Sequence, residues 1–83
     1  MFGRIRRSRK EWFLDINEVE ETYRDEFEAV SEMEDKVEAA KALAQVQYKH
    51  WSRIGRLLEL ARKDGYEFSY NKGTGYWHGT SLS

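Results

Sequence analysis

The sequence predicts an α+β fold in which two amphipathic helices are followed by a two-stranded antiparallel β-hairpin. Apolar residues recur every three or four positions from Ile16 to Ala61, which is the period of an amphipathic helix. After Gly65 the period changes to two, as in a β-strand. The chain of 83 residues contains no proline, which favours long helices, and its length allows one domain with a thin core.

The first ten residues are predicted to form a flexible basic arm ahead of a single small domain at residues 11–83. They hold five basic and no acidic side chains and contain no turn signal. Terminal segments of this kind are poorly ordered unless they are tied down. Asn17 followed by Glu20 resembles a capping box, so we expect the first helix to begin near Glu18.

Two arrangements of the helical region stay open. A second capping-box pattern at Ser31 and Glu34 predicts a break near residues 30–33, yet the apolar spacing continues beyond it. One kinked helix over residues 18–63 would be about 70 Å long and would need a coiled-coil partner in a homodimer. A helical hairpin is the more economical prediction, because it buries the apolar stripes within one chain. Its second helix is expected to bury Trp51, Ile54, Leu58 and Ala61.

The C-terminal region is predicted to be a β-hairpin. Aromatic residues alternate with polar ones at 66–70, and a second aromatic run follows the Gly-rich loop at 71–75. We expect the rings of the first strand to pack on the helices together with Tyr76 and His78. In that register Trp77 and Gly79 face outward.

Charge is sorted into three blocks along the chain. Residues 1–10 carry +5, residues 11–40 carry −10 and residues 41–83 carry +4, which gives the net charge of −1. Such sorting predicts two surfaces that attract opposite partners. It favours a binding protein over an enzyme.

Basic side chains of the second helix are the first candidates for a binding site. Lys49, Arg53, Arg56 and Lys63 are spaced so that they share one face of a helix and can neutralise phosphates. The predicted nucleic-acid-binding set adds one loop residue and three arm residues: Lys72, Arg4, Arg6 and Arg7. Alternatively, these cations pair with the acidic helix of the same molecule or are simply solvated.

A pattern around Gly65 adds a resemblance to a known family. This glycine is preceded by Arg62, Leu58, Ile54 and the pair Leu43–Ala44, and it is followed by the segment Gly73-Thr74-Gly75-Tyr76. Over residues 43–77 the chain resembles the recognition helix and wing of winged-helix DNA-binding domains of the biotin-repressor type. The resemblance implies that the helix at residues 50–63 enters a major groove and that the loop at 71–75 is the wing tip. The chain departs from that family at residues 46–50, which hold no helix breaker.

The acidic first helix supports an alternative function. A dense row of carboxylates can imitate a nucleic-acid backbone and occupy a basic groove of another protein, as a phage-encoded inhibitor would. The predicted partner-binding residues are Glu21, Asp25 and Glu28, with Trp77 as an anchor. The simpler interpretation is a solvated outer helix face.

Catalysis, metal binding and membrane insertion find little support in the sequence. Cysteine is absent, His50 and His78 are the two histidines, and neither has metal-ligand spacing. No apolar run approaches the roughly 18 residues of a membrane span. We therefore expect a small cytoplasmic, non-enzymatic regulator without a cofactor, of the kind that mobile elements encode.

Overall fold

A computed structural model describes residues 6–82, in which four elements follow one another in the predicted order. Helix α1 spans Arg9–Ser31, helix α2 spans Lys36–Lys63, and strands β1 and β2 span Tyr66–Asn71 and Tyr76–Ser81. The helices pack against each other as a hairpin, and β1 pairs antiparallel with β2. This arrangement confirms the α+β class, and of the two open arrangements the helical hairpin is the one present.

Helix α1 begins at Arg9, well before the expected start near Glu18. The Ser8 hydroxyl accepts the Glu11 N–H at 3.2 Å, and the Glu11 carboxylate accepts the Ser8 N–H at 3.5 Å. This capping box satisfies backbone donors that a helix leaves unpaired at its start. The pattern at Asn17 and Glu20 therefore lies inside the helix, where the Asn17 side chain is buried.

The described part of the predicted basic arm is attached to the domain. The Arg7 backbone N–H donates to Asp64 Oδ2 at 3.0 Å, and the Arg6 guanidinium donates to the Asp64 carbonyl. Arg6 and Arg7, which belong to the predicted arm, are therefore in contact with the end of α2. Residues 1–5, and Arg4 with them, lie outside the described residues.

The turn between the helices falls where a break was predicted, but a different residue caps α2. Helix α1 ends at Ser31, whose hydroxyl donates to the Glu28 carbonyl at 2.7 Å. The Asp35 carboxylate accepts the N–H groups of Val37 and Glu38 at 2.9 and 3.2 Å. Asp35, and not Ser31, is thus the N-cap of the second helix.

The core lies at the open end of the helical hairpin, where the β-hairpin covers one face of the helix pair. Trp12 and Ile16 from α1 meet Ala61 from α2 and Phe68 from β1. Beneath them Asp64 is fully buried and accepts the Trp12 indole N–H at 2.8 Å. Because a buried polar group is costly unless it is hydrogen-bonded, this contact fixes the end of α2 to α1.

The register of the β-hairpin differs from the prediction by one residue. Phe68 lies opposite Gly79 and Tyr70 lies opposite Trp77, so these four residues share one face of the sheet. The four-residue loop at 72–75 sets this register and closes with a 2.8 Å bond from the Gly75 N–H to the Asn71 carbonyl. The predicted outward position of Trp77 and Gly79 is wrong, because a shift of one residue reverses the face of every side chain.

Asn17 binds the outer edge of β2. Its Oδ1 accepts the Trp77 N–H at 2.7 Å, and its Nδ2 donates to the Trp77 carbonyl at 3.0 Å. The side-chain amide thus takes the position that a neighbouring strand would occupy. Exposed strand edges pair readily with other chains, so this contact protects the sheet at its middle.

The close approach of Phe68 to Gly79 leads to a first prediction. A Cβ at position 79 would lie 2.5 Å from the Phe68 ring, so Gly79→Ala is expected to destabilise the protein by about 1–3 kcal/mol. Gly55→Ala is the matched control, because a Cβ there meets no atom within 4 Å inside α2. The control should gain about 0.5–1 kcal/mol from the higher helix propensity of alanine. Urea denaturation measures both changes, and equal effects would contradict the packing of Phe68 on this glycine.

Candidate nucleic-acid interface

The antiparallel helices separate charge along the molecule. Residues 17–41, around the turn between the helices, hold ten acidic and three basic side chains, a net charge of −7. The remaining described residues hold ten basic and five acidic side chains, a net charge of +5. The molecule is 53 Å long, several times the Debye length of about 8 Å at physiological salt. A charged partner at one end is therefore largely screened from the other end.

One face of α2 carries free cations. Arg53, Arg56 and Lys63 are exposed, and within residues 6–82 none of them forms a hydrogen bond or an ion pair. From Arg53 to Lys63 the face extends about 15 Å along the helix axis. Lys72, in the β-hairpin loop, is also exposed and unpaired within the described residues, but it lies on a different element.

Five cations were predicted to bind on α2 and in the loop at residues 72–75. One of them, Lys49, is paired with the acidic helix. Its Nζ lies 2.9 Å from Glu26 Oε1, and His50 Nε2 lies 3.0 Å from Glu26 Oε2. A hydrogen bond from Lys49, and to a smaller extent one from His50, lowers the pKa of Glu26 below its ordinary value. His50 is fully buried, and its Nδ1 has no hydrogen-bond partner in the described part of the chain. Of the four basic residues predicted on α2, Lys49 is thus the one that pairs with the acidic helix within the described residues.

Arg6 and Arg7 are occupied by contacts at the helix ends. The Arg7 guanidinium donates to the Asp15 carboxylate and lies 4.3 Å above the Trp12 ring. The Arg6 guanidinium holds the carbonyl of Asp64 at the end of α2. These two cations stabilise the junction of the helices, and a polyanion would have to compete with those contacts. Arg4, the remaining member of the set, lies outside the described residues.

The structure separates the predicted partner-binding residues. Glu21, Asp25 and Glu28 are exposed on α1, and the Tyr76 hydroxyl donates to Glu21 Oε1 at 3.5 Å. Trp77 is half-buried, and its indole N–H donates to Glu20 Oε1 at 2.9 Å. Trp77 therefore lies in the contact between α1 and the sheet and not in the row of exposed carboxylates on α1.

Trp51 is an exposed residue that the sequence interpretation placed in the core. Its side chain is 70% exposed and forms one wall of an open groove, with Tyr70 and Trp77 from the sheet opposite. The prediction failed because the β-hairpin does not extend far enough along α2 to cover it.

Two other kinds of site receive no candidate from the described residues. Residues 6–82 contain no group of three or more histidine, cysteine, aspartate or glutamate side chains arranged to hold a metal ion. Over the same range, neither helix combines the length and the apolar content that crossing a membrane requires.

The lowered pKa of Glu26 predicts how stability responds to acid. Contacts that favour the ionised carboxylate stabilise the folded state fully above the unfolded pKa, whose ordinary value is 4.5. That stabilisation is lost as the pH falls through the lower pKa of the folded state. Urea unfolding at pH 7, 4 and 3 should therefore show a smaller loss of unfolding free energy for Glu26→Gln than for the wild type. Identical losses would show that the contacts with Lys49 and His50 contribute nothing.

Comparison with known proteins gives no match to a family model, to a curated protein or to a solved structure.

Proposed function

We propose that the chain is a small, non-enzymatic nucleic-acid-binding protein whose α2 contacts the phosphate backbone. The observation that carries this proposal is that Arg53, Arg56 and Lys63 are exposed and form no hydrogen bond or ion pair within the described residues. A polyanion can reach these side chains without first displacing a carboxylate. Each phosphate that they neutralise releases a condensed counterion, which favours binding at low salt.

Binding is expected to show little sequence preference. Base recognition needs polar side chains that can reach base edges, and the candidates near this face are few. Asn71 is already used within the loop, where its Oδ1 accepts the N–H groups of Gly73 and Thr74 at 2.8 and 3.3 Å. Gln45 is exposed, but it lies two turns before the free cations. Contacts from α2 are therefore mainly to phosphates, which position a protein without reading sequence.

The proposal rests on surface charge and not on the resemblance to winged-helix domains. Helix α2 runs uninterrupted through residues 46–50, where those domains turn between two helices. The free cations occupy its C-terminal half, away from the acidic turn of the helical hairpin. A cytoplasmic regulator of a mobile element fits this function, and that setting remains part of the proposal.

A double substitution tests the interface. Arg53→Ala with Arg56→Ala should weaken binding to a 20-base-pair duplex by about tenfold or more, and lower the slope of log K against log salt by about two. Fluorescence anisotropy at four salt concentrations measures both quantities. Lys36→Ala with Lys41→Ala is the matched control, because it removes the same charge from the other end of α2. Equal losses in the two variants would contradict a specific role for the predicted face.

A second function is favoured by the carboxylates of α1. Glu18, Glu21, Asp25, Glu28 and Glu32 are exposed at intervals of three and four residues. They form a row with steps of about 4.5–6 Å along the helix axis. No cation of the described residues neutralises them, so their field extends into solvent and can steer a basic protein toward α1. A protein-binding inhibitor would use this surface.

Charge reversal on α1 distinguishes the two functions. Asp25→Lys with Glu28→Lys should raise duplex affinity several-fold at low salt if the chain binds nucleic acid, because the variant repels phosphates less. The same variant should lose capture of a basic protein if the second function holds. Anisotropy with the duplex gives the first readout. A wild type that binds no duplex at 50 mM salt would exclude the nucleic-acid function.

A further inference from the structure

The β-hairpin covers only part of the helix pair. Six-residue strands extend about 20 Å, whereas α2 with 28 residues is about 42 Å long. Along the rest of α2, large apolar side chains remain in solvent: Tyr48 is 79% exposed, Trp51 70% and Val37 64%. Domains bury apolar faces against a second layer, and here that layer stops halfway.

These side chains belong to one apolar stripe on α2. Its members are exposed and none of them is charged: Val37, Ala44, Tyr48, Trp51 and Gly55. Intervals of three, four and seven residues keep them on one side of the helix, over about 27 Å. The buried residues of α2 are His50, Ile54 and Ala61, and α1 and the sheet pack on the side that carries them. The described part of the chain therefore leaves the stripe to solvent.

The stripe is complementary to itself when a second copy runs in the opposite direction. A two-fold axis that passes midway between Tyr48 and Trp51 pairs Trp51 with Tyr48 of the second copy, and Gly55 with its Ala44. Symmetry repeats each pair on the other side of the axis. Rings thus meet rings at the centre, where aromatic pairs pack favourably. Small residues meet small residues on either side, which allows the two helices to approach closely.

The charges beside the stripe also match in this arrangement. Lys41 lies one turn before Ala44, and Glu59 lies one turn after Gly55; both charged side chains are exposed. The same axis brings Lys41 of one copy opposite Glu59 of the other, so that two ion pairs flank the apolar centre. Parallel helices would instead place Lys41 opposite Lys41 and Glu59 opposite Glu59. Like charges across an interface repel, so charge favours the antiparallel orientation.

These two side chains are available for such pairing. Within the described residues Glu59 forms no ion pair, and the ionic partner of Lys41 is its exposed neighbour Glu38 at 3.7 Å. Exposed pairs of this kind contribute little to stability, so exchanging one partner for another costs little.

Antiparallel packing also brings covered and uncovered halves together. Phe68 of β1 packs on Ala61 in the C-terminal half of α2, whereas the strands do not extend over the N-terminal half. Two antiparallel α2 helices place the sheet of one copy beside the bare half of the other. At the end of this sheet, Tyr70 lines an open hollow of about 560 Å³ together with Trp51 and Gly55. A second copy closes the open side of this hollow.

The area of the stripe reaches the lower limit for a specific interface. An aromatic side chain has a surface of about 150–250 Å², so at their exposed fractions Tyr48 and Trp51 present about 300 Å² in each copy and about 600 Å² in the pair. A specific interface needs about 1,000 Å² in total. The remaining area comes from Val37, Ala44 and the flanking stems of Lys41 and Glu59. An interface of this size predicts a weak, reversible dimer.

We propose that two copies of this chain form an antiparallel dimer through the apolar stripe of α2, with Trp51 of each copy packed on Tyr48 of the other. Each copy keeps its helical hairpin, so this dimer differs from the coiled coil that one continuous helix would require. The dimer does not depend on nucleic-acid binding, because Arg53 lies two residues from both Trp51 and Gly55 and therefore on another side of α2. Dimerisation presents the basic face of α2 twice.

Sedimentation velocity of the full chain, without nucleic acid and from low to several hundred micromolar, tests the dimer. We expect a reversible monomer–dimer equilibrium with a Kd in the micromolar range. Trp51→Ala should weaken association by about tenfold or more, because a central aromatic residue carries much of the affinity of an interface. This variant should fold normally, since Trp51 is largely exposed.

A second variant separates association from folding. Gly55→Gln should also weaken the dimer by about tenfold, because a long side chain there blocks the approach of Ala44 of the other copy. The monomer has room for it, since a Cβ at position 55 meets no atom within 4 Å. Leu14→Ala is the matched control. Leu14 is 56% exposed on α1, two residues from the buried Trp12 and Ile16, and its loss should leave the Kd unchanged.

Charge exchange tests the orientation of the two helices. Lys41→Glu alone and Glu59→Lys alone should each weaken the dimer several-fold, because each substitution places like charges opposite one another. The two substitutions together should restore the wild-type Kd, because the ion pairs form again with reversed signs. Single losses without restoration in the double variant would reject the antiparallel arrangement.

Other results would assign the stripe differently. A wild type that stays monomeric over the whole concentration range rejects the dimer. A dimer that Trp51→Ala and Gly55→Gln leave intact uses another surface. An amphipathic peptide of leucine and lysine that binds a monomeric wild type, but not Trp51→Ala, would assign the stripe to another protein. A dimer that forms only after a DNA duplex is added would show that nucleic acid, and not the stripe, holds the copies together.

Discussion

The buried side chain of Asp64 connects parts of the domain that are far apart in the sequence. It accepts the indole N–H of Trp12 and the backbone N–H of Arg7, while the carbonyl of the same residue accepts the Arg6 guanidinium. The end of α2, the start of α1 and the segment before α1 thus meet at one residue. Gly65 follows with a positive φ of 96°, so the chain can turn directly into β1. The helix offset and the position of the sheet both depend on this junction.

That offset decides which charges on the two helices meet. It places Glu26 beside Lys49 and His50, and the contact between Trp12 and Asp64 places Lys63 beside the first turns of α1. The beginning of α1 contains Arg9 and Lys10, so few carboxylates lie near Lys63. The free state of Lys63 therefore results from the antiparallel packing as much as from the composition of α2.

Element types could be predicted because each has its own period in the sequence, but their boundaries and register could not. The capping box at Ser8 and Glu11 lies within a basic segment that looks like a disordered arm, and Asn17 imitated a helix start. For the β-hairpin, Gly73 and Gly75 both suit a turn, and the choice between loops that differ by one residue decides where Trp77 points. Local patterns do not determine such a choice.

The candidate site could be predicted from the sequence to about the same extent as the fold. Helical spacing showed that Lys49, Arg53, Arg56 and Lys63 share a face of α2. It could not show that Lys49 reaches Glu26, because that contact depends on how far one helix is shifted along the other. Trp51 was placed in the core since its spacing fits the buried stripe. Only the length of the β-hairpin relative to α2 shows that the described residues leave Trp51 largely exposed.

The separation of charge along the helix pair has a consequence for approach as well as for contact. A molecule with a net charge of −7 around one end and +5 elsewhere has a large permanent dipole moment. Near any highly charged surface it experiences a torque and rotates before it collides. Encounters are thereby sorted by orientation: a polyanion meets the termini of the helices first, and a polycation meets the turn between them.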